Sequence, residues 1–144
     1  MVVRHAFTVD EWHRMGEAGL FGEDARVELL DGEVMELSPI GSRHGGTVNR
    51  LTRMLVNAAG VRAVVAIQNP VILDARSEPQ PDVAVLAPRA DDYIERHAGP
   101  DEILLLIEVA DSSLVSTATG KPRSTAARGF GSAGSSTWPP EWWR

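Results

Sequence analysis

The sequence predicts an α/β or α+β fold with a mixed β-sheet flanked by helices and preceded by an N-terminal helix and a β-hairpin. Three observations predict this class: helix signals surround a hairpin signal in the first half of the chain, short β-branched runs fill residues 61–86, and residues 103–109 (ILLLIEV) are almost continuously apolar. Such a run is typical of a strand in the middle of a sheet. The 144 residues suit one domain with a core of its own.

The first half of the chain carries signals for a helix and a hairpin. Thr8 and Glu11 have the spacing of a capping box, with Thr8 as the N-cap, which predicts a helix over about residues 9–18. The pair Asp31-Gly32 lies between two half-apolar runs, and this dipeptide is a strong signal for a tight hairpin turn. We therefore expect a helix followed by a two-stranded ribbon.

A second helix and the strands of the sheet follow. Apolar residues at helical spacing predict a helix over about residues 46–59, with Ser42 as a candidate cap and Gly60 as its end. Residues 90–98 are polar and compatible with either a helix or irregular structure. Apolar and β-branched runs predict strands over residues 61–67, 70–73, 83–86 and 103–109.

Composition excludes several classes of protein. The chain has no cysteine, which excludes disulfides and thiolate zinc sites. No apolar run approaches the roughly 20 residues that cross a bilayer. The N-terminal residues lack the apolar core of a signal peptide. We therefore expect a cytoplasmic protein without a membrane partner.

Charge is distributed unevenly along the chain. Residues 1–114 carry 10 basic and 19 acidic side chains, whereas residues 115–144 carry 4 basic side chains and 1 acidic one. A body this acidic does not present a broad basic surface to nucleic acid. A site that meets phosphate would therefore need a bound cation or a local basic patch.

Two acidic residues stand at the ends of apolar strands. Asp82 follows two prolines at the start of the run 83–86, and Glu108 lies near the end of ILLLIEV. Each has an ordinary explanation: Asp82 as a turn residue, and Glu108 as a strand-end residue or an ion-pair partner of an arginine. If the two strands are neighbours, however, the carboxylates could meet at one end of the sheet, and paired carboxylates suit Mg²⁺.

The order of segments resembles the Uma-two-type restriction endonucleases, which are similar to the PD-(D/E)xK nuclease superfamily. The matching segments are FTVDEW, RVELLDGEV, SPIGSRHGGTVNRL, NPVIL, EPQPDVAVL and LLLIEVADSSL. The resemblance implies a restriction-endonuclease-like core that hydrolyses DNA phosphodiesters, with Asp82 and Glu108 as ligands of Mg²⁺ or Mn²⁺. Glu28 matches a further acid of the family pattern. His44 also matches it, although a residue at the start of a helix is the simpler interpretation of His44.

The resemblance further implies DNA as the partner, with a homodimer as one arrangement, and no cofactor other than the metal. It also calls for a catalytic lysine. The position two residues after Glu108 is Ala110, and the only lysine of the chain is Lys121. Because Pro122 disfavours a helix at the residue before it, Lys121 is a weak candidate for a fixed catalytic group. We therefore expect a truncated nuclease domain over residues 1–114, with an irregular tail over residues 115–144 and weakened or absent activity.

The tail is compatible with a shifted reading frame. If each codon of GKPRSTAARGF starts one base early, the genetic code permits Lys-Ala-Ala-Leu-Tyr followed by Arg-Ala-Gly-Ile, which matches the lysine-bearing helix of the family. We hypothesise a frameshift near Val115. The alternative is a genuine basic tail, in a non-enzymatic remnant or binding module, whose tryptophans stack on bases or fill a partner's groove.

The frameshift hypothesis makes a prediction about the reading frames of the coding DNA. Sequencing the DNA around codon 115 should show that insertion or deletion of one base restores an open frame encoding the lysine-bearing helix and a last strand. A coding sequence whose alternative frame lacks this pattern would instead support a genuine tail.

Overall fold

The computed structural model describes residues 1–22 and 24–110, and these form an α+β fold with two helices and two small antiparallel sheets. The predicted α+β class is therefore confirmed. No helix among the described residues has both the length and the apolar character needed to cross a bilayer. The elements are α1 (Val9–Glu17), β1 (Val27–Leu30), β2 (Glu33–Glu36), α2 (Ser42–Ala59), β3 (Val64–Ile67), β4 (Val83–Leu86), a 3₁₀ turn (Pro100–Glu102) and β5 (Ile103–Ile107).

Helix α1 begins at the predicted capping box. The Glu11 N–H donates to Thr8 Oγ1 at 3.2 Å, and the Thr8 N–H donates to Glu11 Oε2 at 2.8 Å. Each bond satisfies a backbone donor that the first helical turn leaves without an intrahelical partner. Val9, directly after the cap, is buried and ties the start of the helix to the rest of the fold.

The hairpin of β1 and β2 turns at Asp31 and Gly32, as predicted. Both residues have positive φ, 51° and 78°, which is the requirement of the tight turn that matches the twist of two strands. Gly32 is also needed for space, because a Cβ there would lie 2.7 Å from the Cβ of Ala6. The Gly32 N–H donates to the Arg76 carbonyl at 2.8 Å, so the turn is held against the middle of the chain.

Helix α2 is longer than predicted. It begins at Ser42 rather than near residue 46, and its N-cap is Gly41, which makes no side-chain capping bond. The expectation that Ser42 caps the helix is wrong, because Gly41 already has the extended backbone of a cap and Ser42 is the first helical residue. Gly60 ends the helix with φ 54°, as predicted.

Strands β3, β4 and β5 form one sheet in that order, and both pairs are antiparallel. The predicted sheet was mixed; within the described part of the chain the one parallel pairing is an isolated bridge between Val71 and Ala98. Residues 103–109 were also expected to form the most buried, central strand, and within the described residues this expectation is wrong. Strand β4 is buried along its whole length because a strand lies on each side of it, whereas β5 is half-buried after Ile103.

The strand predicted over residues 70–73 forms isolated bridges instead of a ladder. The Val71 N–H donates to the Pro79 carbonyl at 3.0 Å and the Leu73 N–H to the Ser77 carbonyl at 2.9 Å. The Asp74 carboxylate accepts from the Arg76 N–H at 2.8 Å and closes the turn between them. The predicted strand over residues 61–67 is likewise shortened to β3.

The connection between β4 and β5 is irregular rather than helical and is held by charged groups. Arg96 donates to both carboxylate oxygens of Glu102 at 2.7 Å, and Arg89 bonds Asp91 and lies 4.2 Å from the centre of the Tyr93 ring. The Tyr93 hydroxyl donates to the Ala87 carbonyl at 2.6 Å. These bonds replace the backbone ladder that a helix would have supplied.

Glu102 makes stability depend on pH. Hydrogen bonds from Arg96, and then from the Gly99 N–H, lower the pKa of Glu102 from its usual 4.5 to about 2. Because the folded-state pKa lies below the unfolded value, this stabilisation is present above pH 4.5 and is lost as pH falls towards about 2. Arg96→Gln should therefore flatten the fall in melting temperature over this range. Arg14→Gln, which changes an exposed arginine of α1, is the control; an unchanged profile for Arg96→Gln would contradict the assignment.

Candidate functional site

Asp82 lies at the end of a buried, extended segment, residues 77–82, which joins the hairpin side of the fold to the sheet. The buried polar side chains of the described residues are Glu28, Ser77, Glu78 and Asp82, and three of these four belong to the segment. Pro79 and Pro81 are buried as well. Because proline has no N–H, the two prolines remove two donors that would need partners in the interior. They therefore suit a buried entrance to a strand.

Glu28 anchors this segment. It lies on β1, and its Oε2 accepts from the Gln80 N–H at 3.1 Å. The Gln80 side chain in turn donates to the Val27 carbonyl at 2.9 Å. Glu28 therefore fixes the chain two residues before Asp82, as a backbone acceptor beside the site.

The Asp82 carboxylate accepts three hydrogen bonds from three parts of the fold. His44 Nε2 lies 2.8 Å from Oδ1, Gln68 Nε2 lies 3.4 Å from Oδ1, and the Val109 N–H donates to Oδ2 at 2.8 Å. An ionised carboxylate only accepts, so His44 Nε2 carries the hydrogen when Asp82 is ionised. A carboxylate offers about four acceptor positions, which leaves Oδ2 able to take a further ligand.

Glu108 lies at the same end of the sheet as Asp82. Val83 of β4 pairs with Ile107 of β5 in the antiparallel ladder, and Asp82 and Glu108 are the residues directly beyond this pair. Asp82 precedes its strand and Glu108 follows its own, and the start of one strand lies beside the end of its antiparallel neighbour. The structure thus brings the two predicted acids to one end of the sheet, with Asp82 buried and Glu108 exposed.

The donor set fits a hard divalent cation bound by two carboxylates. Within residues 1–22 and 24–110, no three His, Asp or Glu side chains come together as a metal cluster, so Glu28 does not complete a three-acid set with Asp82 and Glu108. Mg²⁺ in phosphate-processing sites keeps several waters and uses one or two carboxylates together with substrate oxygens. Ala110, two residues beyond Glu108, adds no charged group, and Lys121 lies outside the described residues.

Two groups of the site were not predicted as such. The sequence indicates His44 as a residue of the helix start, and it does lie in the first turn of α2, but its ring also bonds Asp82. Its place in the segment SPIGSRHGG was the available signal. Gln68 follows β3 with φ 52°, and its N–H donates to the carbonyls of both Pro81 and Asp82. No sequence pattern singles out Gln68, because its contacts depend on the pairing of β3 with β4.

A second histidine–carboxylate pair lies on the same segment. His13 Nε2 is 2.6 Å from Glu78 Oε2, and the Glu78 side chain is 4% exposed against 42% for His13. The pair borders an open cleft of about 360 Å³ lined by Trp12, His13, Gly16, Glu17, Phe21 and His97. Three extended residues separate Glu78 from Asp82, and the four steps between them span about 13 Å. No sequence motif indicates this pair.

A comparison with protein families identifies a match over most of the chain. The model of the Uma2 family, described as "Putative restriction endonuclease", matches residues 9–129, which is more than half of the chain. The two helices and two antiparallel sheets are consistent with a restriction-endonuclease-like core. The matched range continues past residue 114, where the sequence interpretation ended the domain. No curated protein matches the chain.

The contact of His44 with Asp82 predicts a loss of stability on truncation. His44→Ala removes the closer of the two side-chain donors from a buried carboxylate, and leaving a buried polar group short of a partner costs about 1–3 kcal/mol. The melting temperature of His44→Ala should fall clearly, while that of His5→Ala, at an exposed histidine, should change little. His44→Gln, which can still donate, should recover part of the loss. Equal melting temperatures for the two alanine variants would show that the contact adds no stability.

Proposed function

The chain belongs to the Uma2 family, which is described as "Putative restriction endonuclease", and on this basis we propose that it is a Mg²⁺-dependent endonuclease that hydrolyses DNA phosphodiester bonds. Asp82 and Glu108 are the proposed metal ligands. The observation that supports the proposal is the antiparallel register of β4 and β5, which puts a buried and an exposed acidic residue at the same end of the sheet. Mn²⁺ is expected to substitute for Mg²⁺ because it shares the preference for oxygen ligands.

The two acids have different duties in this proposal. Asp82 is held by His44, Gln68 and the Val109 N–H, so its carboxylate is fixed before any ligand arrives. Such support by neighbouring groups keeps a metal-binding or catalytic oxygen in its working position. Glu108 is exposed at the strand end, where substrate can approach it.

Electrostatics supports a requirement for a cation. Two carboxylates at one strand end repel a phosphodiester, and the described chain around them is acidic overall. A bound Mg²⁺ would neutralise the two carboxylates, polarise the phosphate and lower the pKa of a bound water. The proposed site therefore binds the phosphate only together with the metal.

The sequence offers no well-placed candidate for the third catalytic group of the proposed site, the lysine. The residue two positions after Glu108 is Ala110, and the one lysine of the chain, Lys121, is flanked by Gly120 and Pro122. Loss of one well-placed electrostatic group commonly lowers the rate by about 10²–10³. We therefore expect weak cleavage, or none, by this chain. Cleavage should rise in a version whose reading frame is restored near codon 115.

The metal proposal predicts the behaviour of Glu108→Gln. Because Glu108 is exposed, we expect the variant to remain folded without metal, and each protein's melting temperature without metal serves as its own reference. Mg²⁺ binds only the folded site and should raise the melting temperature of the unmodified chain, but not that of Glu108→Gln. Glu36→Gln removes another exposed strand-end carboxylate and is the matched control. A shift of equal size in all three proteins would place the metal elsewhere.

Plasmid nicking tests the reaction itself. Nicking by the unmodified or frame-restored chain should require Mg²⁺ and should disappear in Glu108→Gln but not in Glu36→Gln. Nicking of equal rate by the unmodified and frame-restored chains would show that the tail is no defect. A metal-dependent thermal shift without nicking by either chain would favour a non-enzymatic remnant that has kept the fold.

A further inference from the structure

Acidic residues are absent from one continuous part of this acidic chain. Residues 37–73 contain four arginines and no Asp or Glu, although the whole chain has 20 acidic and 14 basic residues. This part includes the helix α2 and the strand β3. It is therefore the place to look for the local basic patch that a phosphate-binding protein of this composition needs.

Three of the four arginines lie on one face of α2. Arg43, Arg50 and Arg53 are spaced by seven and three residues, which places them along one side of a helix, and all three are exposed. We call them the arginine stripe. With a rise of 1.5 Å per residue, the stripe extends about 15 Å along the helix axis. Val48, on the opposite side, is buried and faces the sheet.

The arginine stripe has no carboxylate partner within the described part of the chain. Ion pairs of arginine in that part include those of Arg4, Arg89 and Arg96, and none involves Arg43, Arg50 or Arg53. An arginine without a carboxylate keeps its planar set of donors available, and this geometry matches the oxygens of a phosphate. The stripe thus presents three uncompensated positive charges on a rigid element.

The stripe begins at the candidate site. Arg43 directly precedes His44, whose ring bonds Asp82, so the first guanidinium is carried on the same helical turn as a group that contacts the site. Arg50 and Arg53 lie about 10 and 15 Å further along the axis. A polyanion that follows the helix would therefore run towards Asp82 and Glu108.

We propose that the arginine stripe binds the phosphate backbone of duplex DNA and holds it beside the acidic end of β4 and β5. This inference rests on the proposed nuclease function for the choice of DNA. Duplex DNA carries one negative charge per about 1.7 Å of axis, so several phosphates can face a stripe of this length. Exposed Asn49 and Asn57 on the same helix can donate further hydrogen bonds to the backbone. Binding through these groups is independent of DNA sequence.

The salt dependence of binding tests the proposal. Each lost phosphate contact should reduce the slope of log K against log salt by about 0.9, so Arg50→Gln with Arg53→Gln should reduce it by about 2. The measurement is fluorescence anisotropy of a labelled duplex without Mg²⁺, from low salt upwards. Arg14→Gln with Arg76→Gln removes two exposed arginines elsewhere and gives the same net charge. We expect at least a tenfold loss of affinity at low salt for the stripe variant and a much smaller loss for this control.

The outcomes separate this surface from the reaction. Equal losses in both double variants, an unchanged stripe variant, or no binding by the unmodified chain would overturn the proposed surface. Poly-glutamate is a competitor for the labelled duplex. If it displaces the duplex as well as unlabelled DNA of equal charge does, the proposed surface is overturned in favour of one for an acidic protein partner. A selective loss of DNA binding, combined with no Mg²⁺-dependent nicking, would support the surface and reject the endonuclease. Glu108-dependent nicking, combined with unchanged DNA binding by the stripe variant, would support the endonuclease and reject the surface.

Discussion

The buried carboxylate of Asp82 is the constraint on which the rest of the described structure depends. Burying an ionised group costs several kcal/mol unless hydrogen bonds replace its water. The replacements come from α2 through His44, from the end of β3 through Gln68, and from the end of β5 through the Val109 N–H. One side chain therefore fixes the relative positions of a helix and two strands. The same bonds hold its own oxygens ready for a ligand.

The segment before Asp82 extends this control to the N-terminal half. Glu78 accepts from His13 of α1 and exchanges backbone hydrogen bonds with Leu29, while the Gln80 N–H donates to Glu28. Pro79 and Pro81 carry the chain through the interior without adding donors that need partners. The helix, the hairpin and the sheet are thus joined by a short stretch of backbone whose buried acids are all hydrogen-bonded. Polar residues in this interior act as connectors as well as candidate functional groups.

The charges are separated into two adjacent surfaces. The acids Asp82 and Glu108, the proposed cation ligands, lie at one end of the sheet, whereas the exposed side of α2 carries arginines and no acid. A phosphate backbone needs both kinds of site, because its charge must be balanced along its length as well as at the reacting phosphate. An acidic protein can meet DNA in this way without a basic surface over the whole molecule.

Local features followed from the sequence alone. The Thr8–Glu11 cap, the Asp31-Gly32 turn and the bounds of β4 were predicted correctly, because the groups that decide them lie within a few residues of each other. The sequence also singled out the two acids. Only the tertiary structure decided that β4 and β5 run antiparallel, which brings the acids to the same end of the sheet; a parallel pair would have placed them at opposite ends. It also decided the donors to Asp82 and the central place of β4, because these depend on contacts between residues far apart in the chain, and short-range patterns do not encode such contacts.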